Sequence, residues 1–106
     1  MAVVPSGIIK QREIEAAVRR AERALKPDVM RIRYALTLDS AGDEAIFFRV
    51  LLTDKASRED RLYQTTEHVR ESVLDIVQPM ELFGMHAYFN YRSASEQAQL
   101  REAAWE

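Results

Sequence analysis

Apolar residues at Ile14, Ala17, Val18, Ala21 and Leu25 recur at helical spacing, and Arg12, Glu15, Arg19, Glu22, Arg23 and Lys26 fill other positions. This predicts an amphipathic first helix. Pro27 sets its limit near Lys26, because the residue before a proline is pushed out of the α region and proline has no backbone donor. From Val29 the period changes to two. Met30, Ile32, Tyr34, Leu36 and Leu38 fall on one face of a strand and Arg31, Arg33, Ala35 and Thr37 on the other. Asp39-Ser40-Ala41-Gly42-Asp43 has the chemistry of a hairpin turn: side-chain acceptors for the backbone and a glycine free to take positive φ. The second strand, Glu44 to Thr53, sets Ile46, Phe48, Val50 and Leu52 against Ala45, Phe47, Arg49 and Leu51, so both its faces are largely apolar.

Ser57 followed by Asp60 resembles a capping box and predicts the start of a second helix. Leu62, Val69, Val73 and Ile76, with Thr66 filling a gap, form its buried stripe to about Gln78. Pro79 and Gly84 bracket a connection whose Leu82 and Phe83 are expected under the core. A third strand begins near Met85, with Met85, Ala87, Phe89 and Tyr91 inward and His86, Tyr88, Asn90 and Arg92 outward. Ser93 with Glu96 forms a second capping box, opening a final helix expected to run through Gln97, Leu100, Arg101, Ala104 and Trp105.

The element order α-β-β-α-β-α predicts an α+β fold. It is a two-layer sandwich of a three-stranded, mainly antiparallel sheet with two helices on one face and a short C-terminal helix. A right-handed crossover through the second helix allows strand order 2-1-3 or 1-2-3, and 2-1-3 is the expectation taken forward. The order of elements resembles that of the cytoplasmic domains of cation diffusion facilitators and other small split-βαβ modules, a likeness of order without a shared motif.

Length and composition narrow the class. At 106 residues, 47% hydrophobic and 30% charged, the chain 1–106 reads as one domain able to build its own core. The absence of cysteine removes disulfide scaffolds, thiolate zinc sites and cysteine nucleophiles, and it fits a cytoplasmic location. The stretch Met1–Ile9 lacks a basic segment ahead of a long apolar run, and nothing approaches the roughly 20 apolar residues of a membrane span. A soluble protein is expected. Fifteen basic against seventeen acidic residues give a net charge of -2, so nucleic acid could bind only at a local patch.

That patch would be the sheet face turned away from the helices, where Arg31, Arg33, Phe47, Arg49, Leu51, His86, Tyr88 and Arg92 should project together. An exposed face with this mixture of arginine, aromatic and aliphatic side chains points to a non-catalytic protein-binding or assembly module, either a homo-oligomer or a protein-docking domain. Three alternatives use the same residues. The C-terminal helix could fold back so that Leu100 and Trp105 cover Phe47 and Leu51. Single-stranded nucleic acid could stack on Phe47 and Tyr88 beside Arg31, Arg33, Arg49 and Arg92, although no RNP-like motif is present. A small dimeric enzyme could use His86 with Tyr88 at a subunit boundary.

Nothing assigns catalytic residues, a cofactor or a metal. His68 and His86 lack a second histidine at ligand spacing, and His68 reads as a surface residue. Asp39, Asp43 and Glu44 belong to the hairpin loop, without a matched acid/base pair. Gly7, Gly42 and Gly84 are too dispersed to cradle a phosphate. Arg12, Arg19, Arg20, Arg23 and Lys26 of the first helix are interleaved with Glu13, Glu15 and Glu22, as on a solvated, ion-paired face.

Overall fold

The computed structural model describes residues 10–106, so the export-signal reading of Met1–Ile9 lies outside the described residues. Helix α1, Gln11–Ala24, buries Ile14, Ala17, Val18 and Ala21 and stops before a cis Lys26–Pro27 bond. Strands β1, Val29–Leu38, and β2, Glu44–Leu52, form a hairpin. Helix α2, Leu62–Val77, is followed by the short helix α3, Pro79–Phe83. Strand β3, His86–Ser93, leads into helix α4, Ala94–Leu100, and a 3-10 turn at Ala103–Trp105. No helix among the described residues is long and apolar enough to cross a membrane.

The sheet is mixed: β1 pairs antiparallel with β2, and β3 pairs parallel with β2. The order is 1-2-3, not the expected 2-1-3. The physical reason lies in the strands. β2 is apolar on both faces, which suits the centre, whereas β1 and β3 carry the polar and charged residues tolerated at edges. The crossover through α2 lays β3 beside and parallel to the strand the chain has just left.

Helices α1 and α2 pack on one face of this sheet and against each other. Ile14, Val18, Ile32, Ile46, Phe48, Val50, Val73 and Val77 are fully buried between the layers. Phe48 stacks on Phe89 with centroids 4.9 Å apart, and the Tyr91 hydroxyl donates to the Thr66 carbonyl at 3.2 Å. Burial of a side chain such as Phe48 contributes about 1.5–3 kcal/mol. The free edge of β1 is closed at Ile32, whose N–H donates to Glu22 Oε2 at 2.8 Å and whose carbonyl accepts from Arg19 at 2.6 Å. Arg19 and Glu22 also pair with each other at 2.9 Å, so one turn of α1 blocks strand addition there.

Several local expectations change. Met30 is 49% exposed, because an irregularity between Val29 and Arg31 shifts the register and gives its core place to Val29. The Ser57/Asp60 pair caps no helix. The Ser57 hydroxyl instead donates to the Thr53 carbonyl at 2.8 Å in a tight turn, and α2 begins at Leu62. Leu62 is itself exposed, and Thr65 rather than Thr66 occupies the buried stripe beside Val69, Val73 and Val77. Phe83 tucks under the core as expected, while Leu82 points to solvent. The last helix does not reach Trp105: it ends at Leu100, where Arg101 adopts left-handed φ 52° and reverses the chain. The capping box at its other end is present, with Ser93 and Glu96 exchanging 3.1 Å hydrogen bonds.

Candidate functional site: the outer face of the sheet

Strand register decides what the outer face carries. Because alternate residues share a face, the pairings stack four rows across the strands: Thr37–Ala45–His86, Ala35–Phe47–Tyr88, Arg33–Arg49–Asn90 and Arg31–Leu51–Arg92. All eight residues singled out from the sequence therefore stand on one surface, filling places in the second, third and fourth rows and, with His86, one corner of the first. The regularity follows from the strands' alternation, which survives beyond the irregularity at Met30.

The second row is aromatic. Phe47 and Tyr88 stack with ring centroids 4.9 Å apart and planes 17° from parallel. Phe47 is half-buried and Tyr88 is 41% exposed. Each ring has one face against the other, so those two faces are closed to a base. At the hairpin end of the row the Tyr88 hydroxyl donates to Asp39 Oδ2 at 2.8 Å. Asp39 Oδ1 accepts from the N–H groups of Ala41 and Asp43, 3.0 Å each, so the turn holds this carboxylate in place. The Tyr88 hydrogen bond, with the turn's N–H groups behind it, lowers the Asp39 pKa. The same bond to Asp39 raises that of Tyr88. The Tyr88 phenol is thus held more firmly in its protonated form, and His86 lies 3.8 Å from Asp43.

The other end of the face is occupied. After the reversal at Arg101 the chain runs back and Trp105 becomes buried, 7% exposed, with the Arg92 guanidinium 4.4 Å from its ring centroid. Leu51 beneath this end is also buried. Arg92 donates to Gln97 Oε1 at 2.9 Å and to Glu102 Oε1 at 3.0 Å. Arg33 donates to the Glu106 carbonyl, and Arg31 lies 4.0 Å from the Glu106 carboxylate. The C-terminal segment thus covers the fourth row and ties down part of the third. It does so through Trp105, whereas Leu100 stays 55% exposed. Of the four arginines expected to meet phosphates, Arg31 and Arg92 are ion-paired with this segment and Arg33 donates to its backbone, while Arg49 makes no contact with it among the described residues.

Sequence reading missed Asp39 as the partner of Tyr88 and missed Gln97, Glu102 and Glu106 as partners of the arginines. The spacing of Glu102 and Glu106 around a lone tryptophan was visible, but a helical reading sets both glutamates on one helix face and gives them no reason to turn back to the sheet. Elsewhere, a cleft of about 600 Å³ opens between α2 and the end of β3, lined by Leu62, Tyr63, Thr66, Tyr91 and Glu96 among others. Its Tyr91 and Glu96 are already engaged with Thr66 and Ser93. Among the described residues no three His, Asp or Glu side chains group as a metal site. Comparison with protein-family profiles, curated proteins and solved structures finds no match to this chain.

Proposed function

We propose that the protein is a non-catalytic assembly module in which two copies meet through the outer sheet faces, centred on Phe47 and Tyr88. The observation that carries this reading is the order of chemistry along the face. An acidic end, Asp39 and Asp43, and a cationic row, Arg33 and Arg49, flank the exposed aromatic pair. A two-fold axis across the strands through the aromatic row sets Phe47 and Tyr88 against their own copies and the cations of one copy against the acids of the other. Such a surface is complementary to itself, which is what an isologous interface requires.

The same chemistry disfavours single-stranded nucleic acid. Asp39 and Asp43 repel phosphate beside the rings, and two of the four arginines, Arg31 and Arg92, are already ion-paired.

Three strands about 4.8 Å apart and three rows about 6.8 Å apart present roughly 300 Å² of projected face per copy, well below the ~800 Å² per partner of a standard interface. The expected dimer is weak and concentration-dependent. Light scattering across a concentration series should show mass rising from one copy toward two, with Phe47→Ser and Arg49→Glu each returning it to one. Arg49→Glu combined with Asp43→Arg should restore dimerisation, because the swapped charges meet again across the axis. A parent chain that stays monomeric at about 1 mM would overturn the reading. So would salt-sensitive retention of single-stranded RNA by the monomer, which would place nucleic acid on this face instead.

A further inference from the structure

A second surface lies at the other end of the face and shares only Arg33 with the pairing just proposed. Its components come from three elements: Arg31 and Arg33 of β1, Arg92 of β3 and Gln97 of α4. Gln97 is only 6% exposed, yet every part of its amide is used. Its Oε1 accepts from Arg92 at 2.9 Å, and its Nε2 donates to the Glu102 carbonyl and to Glu106 Oε1, 2.8 Å each. A buried amide reading both a backbone carbonyl and a carboxylate recognises a segment in one orientation. Arg92 adds two requirements, a carboxylate at 3.0 Å from Glu102 and an aromatic face from Trp105. Arg33 and Arg31 meet the carbonyl and carboxylate of Glu106. The cradle therefore reads a short pattern: an acid, then three and four residues on a tryptophan and a second acid.

The chain's own occupant is lightly held. Side chains of Glu102 and Glu106 remain 54% and 63% exposed, so among residues 102–106 only Trp105 is buried. Its tether turns at Arg101, a residue with a Cβ held in the left-handed region that favours glycine. A segment with one buried anchor and a strained tether opens locally at small cost.

We infer that Arg31, Arg33, Arg92 and Gln97 form a docking site for an acidic, tryptophan-bearing peptide segment of a partner protein, which residues 102–106 occupy in cis as a competitor. The partner segment displaces the chain's own and makes the same contacts. Because the tethered segment competes at an effective concentration in the millimolar range, the intact chain takes such a segment weakly until its own is released.

The test uses the full chain carrying Trp105→Ser and the peptide acetyl-Glu-Ala-Ala-Trp-Glu. Trp105 is the chain's one tryptophan, so the peptide's indole is the only one in the mixture and its fluorescence reports binding directly. Saturable binding is expected, at least about tenfold tighter than to the intact chain. Binding should be lost when Arg92→Ala is added or when the peptide tryptophan is replaced by alanine. Circular dichroism checks that the variant is folded. Should Trp105→Ser fail to fold, Glu102→Lys, which weakens the cis contact but keeps the tryptophan, is titrated with fluorescein-labelled peptide by anisotropy. No binding by a folded, opened chain at millimolar peptide overturns the inference, as does equal binding of the tryptophan-free peptide, which would reduce the site to charge attraction.

Discussion

Val73 sits fully buried on the stripe of α2 that faces the sheet, and Val73→Asp tests that placement with a sign that depends on pH. Losing the valine removes about 1.5–3 kcal/mol of apolar burial. The carboxyl adds more. Burial raises a carboxyl pKa by up to 3–5 units, and holding it protonated at pH 7 against an ordinary value near 3.9 costs about 4 kcal/mol at 1.36 kcal/mol per unit. The total of about 6 kcal/mol compares with the ~5–15 kcal/mol available to a domain of this kind, so the variant should be barely folded at pH 7. Because the folded-state pKa is raised, the ionisation penalty is absent below about pH 3.9 and grows as pH rises toward the raised value. Urea unfolding of parent and variant by far-UV circular dichroism, at pH 4.5 and pH 7, reads this out. With a slope of roughly 1–2 kcal/mol per molar urea, the midpoint gap should be several molar at pH 7 and markedly smaller at pH 4.5. Equal midpoints at pH 7 would mean that residue 73 faces water and the helix phase is wrong. A gap that does not change with pH would mean that the carboxylate reaches solvent.

Two further predictions concern the chain's own titrating groups. Asp54 accepts from the Ser95 hydroxyl and, at 3.0 Å, from the Ser95 N–H, and these bonds lower its pKa. Its contribution is present above the ordinary carboxyl value and lost as pH falls through the lowered one, so Ser95→Ala should move the Asp54 carboxyl titration seen by NMR upward, and an unmoved titration would remove the clasp. Tyr34 and Tyr91 are each pushed up to about 12, both chiefly by burial. Since their folded values are raised, the stability they confer is whole below pH 10 and falls as pH climbs toward 12. Tyr34→Phe with Tyr91→Phe should flatten the alkaline loss in melting temperature, and an equally steep loss would refute the assignment.

Local pattern determined most of the secondary structure and the inner and outer faces of the strands. Helical spacing from Ile14 to Leu25, alternation along β2 and β3 and the capping box at Ser93 are each written within a few residues, because they reflect repeat geometry and short-range hydrogen bonds. That is also why all eight outer-face residues could be named before any pairing was known. The apolar character of both faces of β2 marks a central strand as well, a signal that the expected order 2-1-3 passed over.

What the tertiary structure alone decided depends on residues distant in the chain. The register irregularity that expels Met30 arises where β1 meets the far end of β2. Asp39 finds Tyr88 across 49 positions. The last helix stops at Leu100 although its sequence could continue. Burying Trp105 against Arg92, with Gln97, Arg33 and Arg31 gripping the flanking glutamates, outweighs one more turn of exposed helix and the strain at Arg101. A helix reads its own neighbours at three and four residues. Whether it yields to a competing contact is set by surfaces that only the folded sheet brings within reach.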